Sequence, residues 1–399
     1  MLLTVRTDRL VAGGDAMGRA DDGRVVFVTG ALPGELVEAE IIETKKDFVR
    51  SLVQVVLEPS ADRQVPVCAH RRAGCGGCGW MHLEPAAQLA AKAEIVRESL
   101  RRIGRLAAAL VDDLVRVGGA VDPFGYRTTI RVVGGPDGTL GYREERSDRI
   151  VPITSCPIAE SALSRLLSVI RLDEGAEITL RTSVATGQIT AIWSRDHRHG
   201  VHGVPTGVHI GERAWLTERI AGVELRASAG SFFQSGAQGA ELLVSAVGRA
   251  APELATAAHA VDAYGGVGLF AATVMATAGH VTVIESSKSA CFDAKHNLAD
   301  RSATIVKSEV GRWRADPDRP VDAVVADPAR SGLGKPGADV LAAVAAPVFV
   351  LVSCDPVSLA RDVTLLAQRG YAPESVEVLD LFPNTPHVET VTRFTLTST

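Results

Sequence analysis

The 399-residue sequence contains no apolar run near the roughly 20 residues that a membrane-spanning helix requires, so no membrane role is expected. Its opening, MLLTVRTDRLVAGG, lacks the basic stretch, apolar core and small-residue cleavage site of a secretory leader. A cytoplasmic location is the expectation. Net positive charge is also missing: 42 Lys and Arg stand against 47 Asp and Glu, for a formal charge of −5. That excludes a protein that coats nucleic acid indiscriminately, because such binding draws on counterion release by a broad basic surface. Local basic clusters remain in His70-Arg71-Arg72, in Arg97, Arg101, Arg102 and Arg105, and in Arg143, Arg146 and Arg149. Each is as readily a solvated face as a phosphate contact. The sequence shows no internal repeat and no low-complexity segment, and its length suits two or three domains, each with its own core.

What is present is ordered along the chain. Residues 1–60 alternate short β-type runs (LLTVR, RVVFVTG, LVEAEII, RSLVQVVLE) with turn strings such as AGGDAMGRADDG. This is the pattern of a small five-stranded barrel, an architecture that binds oligonucleotides or serves as a plain scaffold. A stretch dense in glycine and cysteine, Cys68 to Trp80, precedes helical periodicity from Pro85 to Ile103. Residues 124–228 return to β patterns, and ITLRTSVATGQITAIWS predicts two strands about a turn at Ala185-Thr186-Gly187. After residue 229 strands and helices alternate, which specifies a parallel sheet covered by helices on both faces. The expected fold class is an α/β, Rossmann-like catalytic domain with an N-terminal small β-barrel and a β-rich central domain. The boundaries predicted are 1–60 for the barrel, 61–84 with 118–228 for the central domain, and 85–117 with 229–399 for the catalytic domain.

The string VDAYGGVGLFAA sets an acidic residue and three glycines at the end of a buried strand, where a helix begins. Glycine suits a backbone that lies against a bulky ligand, and also suits a tight strand-to-helix turn with no ligand. The next strand ends in Glu285, where a carboxylate can accept hydrogen bonds from both hydroxyls of a ribose. NAD and S-adenosylmethionine both fit. Two features favour the latter: the glycines depart from G-x-G-x-x-G, and a third acidic motif, ADPARSG with Asp327, follows a later strand. Tyr264, Glu285 and Asp327 would then converge at the carboxyl ends of the strands, where open α/β sheets bind ligands.

Of six cysteines, at 68, 75, 78, 156, 291 and 354, Cys354 stands out because VFVLVSCDP places it between a strand end and a helix N-terminus. The helix dipole there predicts thiolate character; a buried structural cysteine is the alternative. Cys291, inside the helical pattern SACFDA, suits a core. C5 of uracil is a poor nucleophile, and addition of a thiolate to C6 would turn the ring into an enolate able to attack a sulfonium methyl. A base must then remove the C5 proton. FPNTPHVETVTRF offers Glu389, with His387 beside it, although such a pair on a strand is ordinarily a surface pair.

Together these motifs make the chain resemble the RNA 5-methyluridine (uracil-C5) methyltransferase family over nearly its whole length. FFQSG, DAYGGVGLF, VIESS, DPARSG, SCDP and PHVE occur in the family's order, and the first 60 residues are similar to the TRAM domain of many members. The resemblance implies that Gln234, Tyr264, Glu285 and Asp327 contact S-adenosylmethionine, that Cys354 is the nucleophile and that Glu389 is the base. It implies a [4Fe-4S] cluster on Cys68, Cys75, Cys78 and Cys156, with four-cysteine zinc as the alternative. The implied partner is RNA: ribosomal RNA of the 23S type, or tRNA, modified by a monomer on a base flipped from its stack. A non-catalytic RNA-binding or iron-sulfur protein on the same fold is the contrasting reading. Methylation of a nucleobase amino group is disfavoured because Ala329 follows the Asp-Pro pair where such enzymes carry an aromatic residue. YRTTIRV, from Tyr126, departs from the family's usual Asn-Lys after Tyr-Arg.

Overall fold

In the computed structural model, residues 1–194 and 200–397 are described. Strands Leu2–Leu10, Ala16–Arg19, Val25–Thr29, Leu36–Thr44 and Phe48–Glu58 close into a five-stranded barrel. Alternation of apolar and polar residues turns Val5, Val26, Val28, Val37 and Val49 inward. Trp80, Leu83 and Ile95 join the same core, so the barrel rests on the Cys-rich segment and on the helix Pro85–Arg102.

A six-stranded sheet follows, in the order Val208–Ile210, Ile189–Trp193, Glu177–Thr182, Thr129–Gly134, Leu140–Arg143 and Ile150–Pro152. The predicted turn between its second and third members is present, with Gly187 at φ +71°, a conformation that costs glycine nothing.

The catalytic half is built on an eight-stranded sheet. Five parallel strands run in the order Ala303–Lys307, Val281–Glu285, Ala260–Ala263, Ala323–Ala326 and Val348–Ser353. Next comes the antiparallel Glu389–Leu396, then Tyr371–Asp380, then Val115–Ala120 at the edge. Successive residues serve opposite faces. Val348, Val350 and Val352 point into one core, while Phe349 and Leu351 point into the other, so helices cover both faces of the sheet. On one of these faces the buried Lys92 of the helix Pro85–Arg102 donates to Asp380 Oδ1 at 2.6 Å and to Phe382 O at 3.2 Å. That pair ties the helix to the loop leading into the Glu389 strand. Among the described residues no helix is long and apolar enough to cross a membrane.

Candidate active site

Tyr264 begins the glycine turn with a left-handed backbone, φ +60°, a strained conformation for a residue with a side chain. Gly265 is required behind it: a Cβ there would lie 2.7 Å from Val283 Cγ1 and 3.0 Å from Asp262 Cγ. Glu285, ending the adjacent strand, accepts from Gly266 N at 3.0 Å and from Ser287 N at 2.6 Å. Its carboxylate thereby fixes the turn and the start of the helix Lys288–Asn297 together.

The Tyr264 ring stands between two cavities. The larger, about 220 Å³, is lined by Glu285, Ser286, Ser308, Val310 and Leu333. The smaller, about 50 Å³, is lined by Phe232, Phe233, Gln234, Val267 and Asp327. Gln234 Nε2 approaches Asp327 Oδ2 at 3.5 Å, the outer limit of a hydrogen bond. Gly337 gives the tyrosine its space, since a Cβ there would stand 2.7 Å from Tyr264 Oη. All four expected cofactor residues therefore line one continuous edge of the sheet.

Cys354 and Glu389 are brought together by strand register. Ser353 pairs with Thr390 across the antiparallel ladder, so the residues one step further, Cys354 and Glu389, face each other at its end. Glu389 is buried, and its Oε1 has no hydrogen-bond partner among the described residues. Burial and the neighbouring Asp327 raise its pKa well above the usual carboxylate value, with Arg330 opposing. Burial alone pushes Asp327 up to about 7.

The thiolate expected of Cys354 is not favoured in this state. Burial pushes its thiol up to about 12, with the charges of Glu389 and Asp327 adding to the shift and Arg330 opposing it. The helix end beside it does not offset these effects. Asp355 caps the helix Pro356–Ala367 with its own side chain, accepting from Ser358 N at 2.7 Å, so that helix end is already satisfied by a carboxylate.

Two residues of these motifs carry more than their letters indicate. Asp262 is fully buried in the strand before the glycine turn; its Oδ2 accepts from Ala271 N at 3.0 Å, while Oδ1 has no partner among the described residues. Burial raises it to about 7. Arg330, inside ADPARSG, lies 3.3 Å from His387 Nε2, and its charge reaches both Cys354 and Glu389. Ser358 Oγ donates to Arg330 O at 2.6 Å, which fastens this loop to the catalytic helix. His387 itself is held neutral, its pKa lowered to about 4 by burial and by Arg330.

Away from this edge, Cys75, Cys78 and Cys156 are buried and Cys68 is half-buried. Burial raises the thiols of Cys75, Cys78 and Cys156, the nearby cysteines add to the shift, and Cys78 is pushed up to about 12. Among the described residues, no three His, Cys, Asp or Glu side chains stand in an arrangement that could hold a metal ion. Cys291 is buried in its helix, with Sγ 3.3 Å from Glu285 O, as a core residue should be.

Residues 3–53 match the TRAM domain family. An RNA methyltransferase of Streptomyces avermitilis is 34% identical over 95% of this chain and 94% of its own length. One of Gloeobacter violaceus is 32% identical over 98% and 95%. The solved structure of Pyrococcus abyssi tRNA (uracil-54, C5)-methyltransferase with S-adenosyl-L-homocysteine superposes with a TM-score of 0.72 at 24% identity, covering 99% of this chain and 100% of that one. That likeness is one of fold. With a TRAM barrel, a methyltransferase sheet and relatives matched along nearly their full lengths, the chain belongs to the RNA methyltransferase family.

Proposed function

We propose that this enzyme methylates C5 of a uridine in RNA, using S-adenosylmethionine, with Cys354 as nucleophile and Glu389 as base. The observation that carries the reading is the ladder register that sets a cysteine beside a buried, half-unpartnered carboxylate at the edge that holds the Tyr264 cavities. The cofactor fits these residues. Glu285 suits the ribose hydroxyls, the cavity beyond Tyr264 suits the adenine, and Gln234 and Asp327 suit the methionine end.

Bound S-adenosylmethionine supplies an electrophilic methyl group on a positively charged sulfonium. That charge favours the ionised forms of Asp327, Glu389 and Cys354, which repel one another without it. The Cys354 thiolate would add to uracil C6, and the displaced ring electrons would make C5 nucleophilic enough to take the methyl carbon, whose bond to sulfur breaks with its electron pair left on the neutral thioether S-adenosylhomocysteine. Glu389 accepts the C5 proton, the C6–S bond breaks, and the electron pair of the C5–H bond restores the ring double bond. The base must leave its stack, because a thiolate approaches C6 from the ring face.

The substrate proposed is ribosomal RNA of the 23S type, as the family resemblance of the sequence motifs implies. The fold likeness to the archaeal tRNA enzyme favours tRNA as the second reading. Cys68, Cys75, Cys78 and Cys156 would hold a [4Fe-4S] cluster. One zinc would need its thiolates about 3.8 Å apart, from tetrahedral bonds of about 2.3 Å, whereas a cluster gives each thiolate its own iron and so suits a wider set. Iron in anaerobic protein, lost on Cys78→Ala, is expected; stoichiometric zinc would overturn it. Incubation of RNA with enzyme and S-adenosylmethionine, digestion and mass spectrometry should yield 5-methyluridine. Another methylated nucleoside would refute the proposed chemistry.

A further inference from the structure

A separate cavity of about 210 Å³ opens where the barrel, the Cys-rich segment and the loop before Glu389 meet. Gly14, Gly77, Gly79, Trp80, Glu145 and His387 contribute to its wall, and none of them lines the two cavities beside Tyr264. The wall is fastened across distant parts of the chain. Trp80 Nε1 donates to Gly14 O at 3.0 Å, Trp80 N to Asn384 O at 3.0 Å, and Arg71 Nη2 to Glu145 Oε2 at 2.8 Å. Gly14 leaves no room for a side chain, because a Cβ would fall 2.6 Å from Pro386 Cβ. The result is a fixed recess bordered largely by bare backbone, the kind of surface that a flat ring can approach closely.

Two further observations point to its occupant. His387 in the wall touches Arg330, whose charge acts on Cys354 and Glu389, so the recess and the catalytic pair are two side chains apart. Glu145 Oε1 edges the recess and accepts no hydrogen bond among the described residues, since Arg71 takes Oε2. A carboxylate oxygen accepts from the exocyclic amino groups of adenine, cytosine and guanine, whereas uracil has no amino group and its one ring donor, N3–H, is flanked by two carbonyl oxygens that repel a carboxylate. Proteins read single-stranded RNA through such splayed-out bases.

We propose that this recess receives a base next to the target nucleotide in the RNA, and that Glu145 selects a base bearing an exocyclic amino group over uracil. The inference rests on the methyltransferase edge acting on RNA. It is tested by RNA binding, so that failure of the uracil-C5 chemistry and failure of the subsite can be told apart.

The experiment measures equilibrium binding of the full-length protein, prepared anaerobically, to short single-stranded RNAs with one central uridine. The positions on either side carry each of the four bases or an abasic site. At one flanking position, uracil or an abasic site should weaken wild-type binding by about 3- to 10-fold, the range of one net hydrogen bond. Glu145→Gln should remove the discrimination against uracil while the abasic penalty remains. Gly79→Leu, on a right-handed helical backbone at φ −57° and ψ −24°, should fill the recess and abolish both effects. Gly79→Ala, whose Cβ would meet only ordinary contacts at 3.8 and 4.0 Å, should keep the wild-type profile. Equal wild-type affinity for all flanks, or discrimination that survives Glu145→Gln, would overturn the proposal.

Discussion

Asp262 offers a sharp test of the electrostatics beneath the glycine turn. Its carboxyl is fully buried with one oxygen unpartnered, and burial raises its pKa from 3.8 to about 7. Between those values the folded state holds a proton that the unfolded chain has lost. Its contribution to stability is therefore whole below pH 3.8 and falls away as pH rises towards about 7. Integrating that difference, this one residue should lower the stability of the wild type by about 2–3 kcal/mol between pH 5 and pH 8. Asp262→Asn keeps an oxygen to accept from Ala271 N and cannot ionise, so it should lack that dependence. The assay is urea unfolding of both proteins at pH 5 and pH 8. The variant should gain about 2–3 kcal/mol on the wild type as pH rises across that interval. An unchanged difference between the two proteins at both pH values would mean that Asp262 does not titrate as its burial requires.

Other consequences concern packing. Lys92→Met leaves the Asp380 charge buried without its partner and should cost about 3–5 kcal/mol, with much of the loss recovered by adding Asp380→Leu. Thermal unfolding should show a fall of roughly 6–20 °C for the single variant, and an equal fall for the double variant would argue against the pair. Gly337→Ala forces a methyl against Tyr264 Oη and should weaken S-adenosylhomocysteine binding by about 5- to 100-fold in calorimetry. Unchanged affinity would remove Tyr264 from the cofactor wall. Glu389→Gln should let the covalent RNA adduct accumulate on ordinary uridine, visible as a slow-migrating band, because nothing then removes the C5 proton.

Much of the fold was legible because it rests on periodicity. The barrel strands alternate in and out, the helix predicted from Pro85 to Ile103 forms over Pro85–Arg102, and the βα alternation after residue 229 specified the parallel sheet. Pairing was less accessible. The edge strand Val115–Ala120 is short, holds two glycines and joins a sheet whose other members begin far along the chain, so local pattern gave no sign of it. The same limit hid how Cys354 meets Glu389. Each was visible as a motif, but their adjacency comes from the last strand inserting antiparallel between the strands Val348–Ser353 and Tyr371–Asp380. The raised pKa of the Cys354 thiol was hidden for a different reason: a helix end seen in sequence says nothing of the burial and the carboxylates around it. The acidic residue of VDAYGG was visible, but the raised pKa of Asp262 comes from complete burial, which one acidic letter in a strand does not reveal.

The central claim, a covalent bond between Cys354 and uracil C6, is tested most directly with RNA carrying 5-fluorouridine in place of uridine. Fluorine at C5 cannot be removed as a proton, so after methyl transfer the enzyme should stay attached. Incubation with S-adenosylmethionine, followed by protease digestion and mass spectrometry, should find the fluorinated, methylated base on the peptide containing Cys354. Cys354→Ala should form no such complex. Equal trapping by the wild type and Cys354→Ala, or attachment at another residue, would contradict the account.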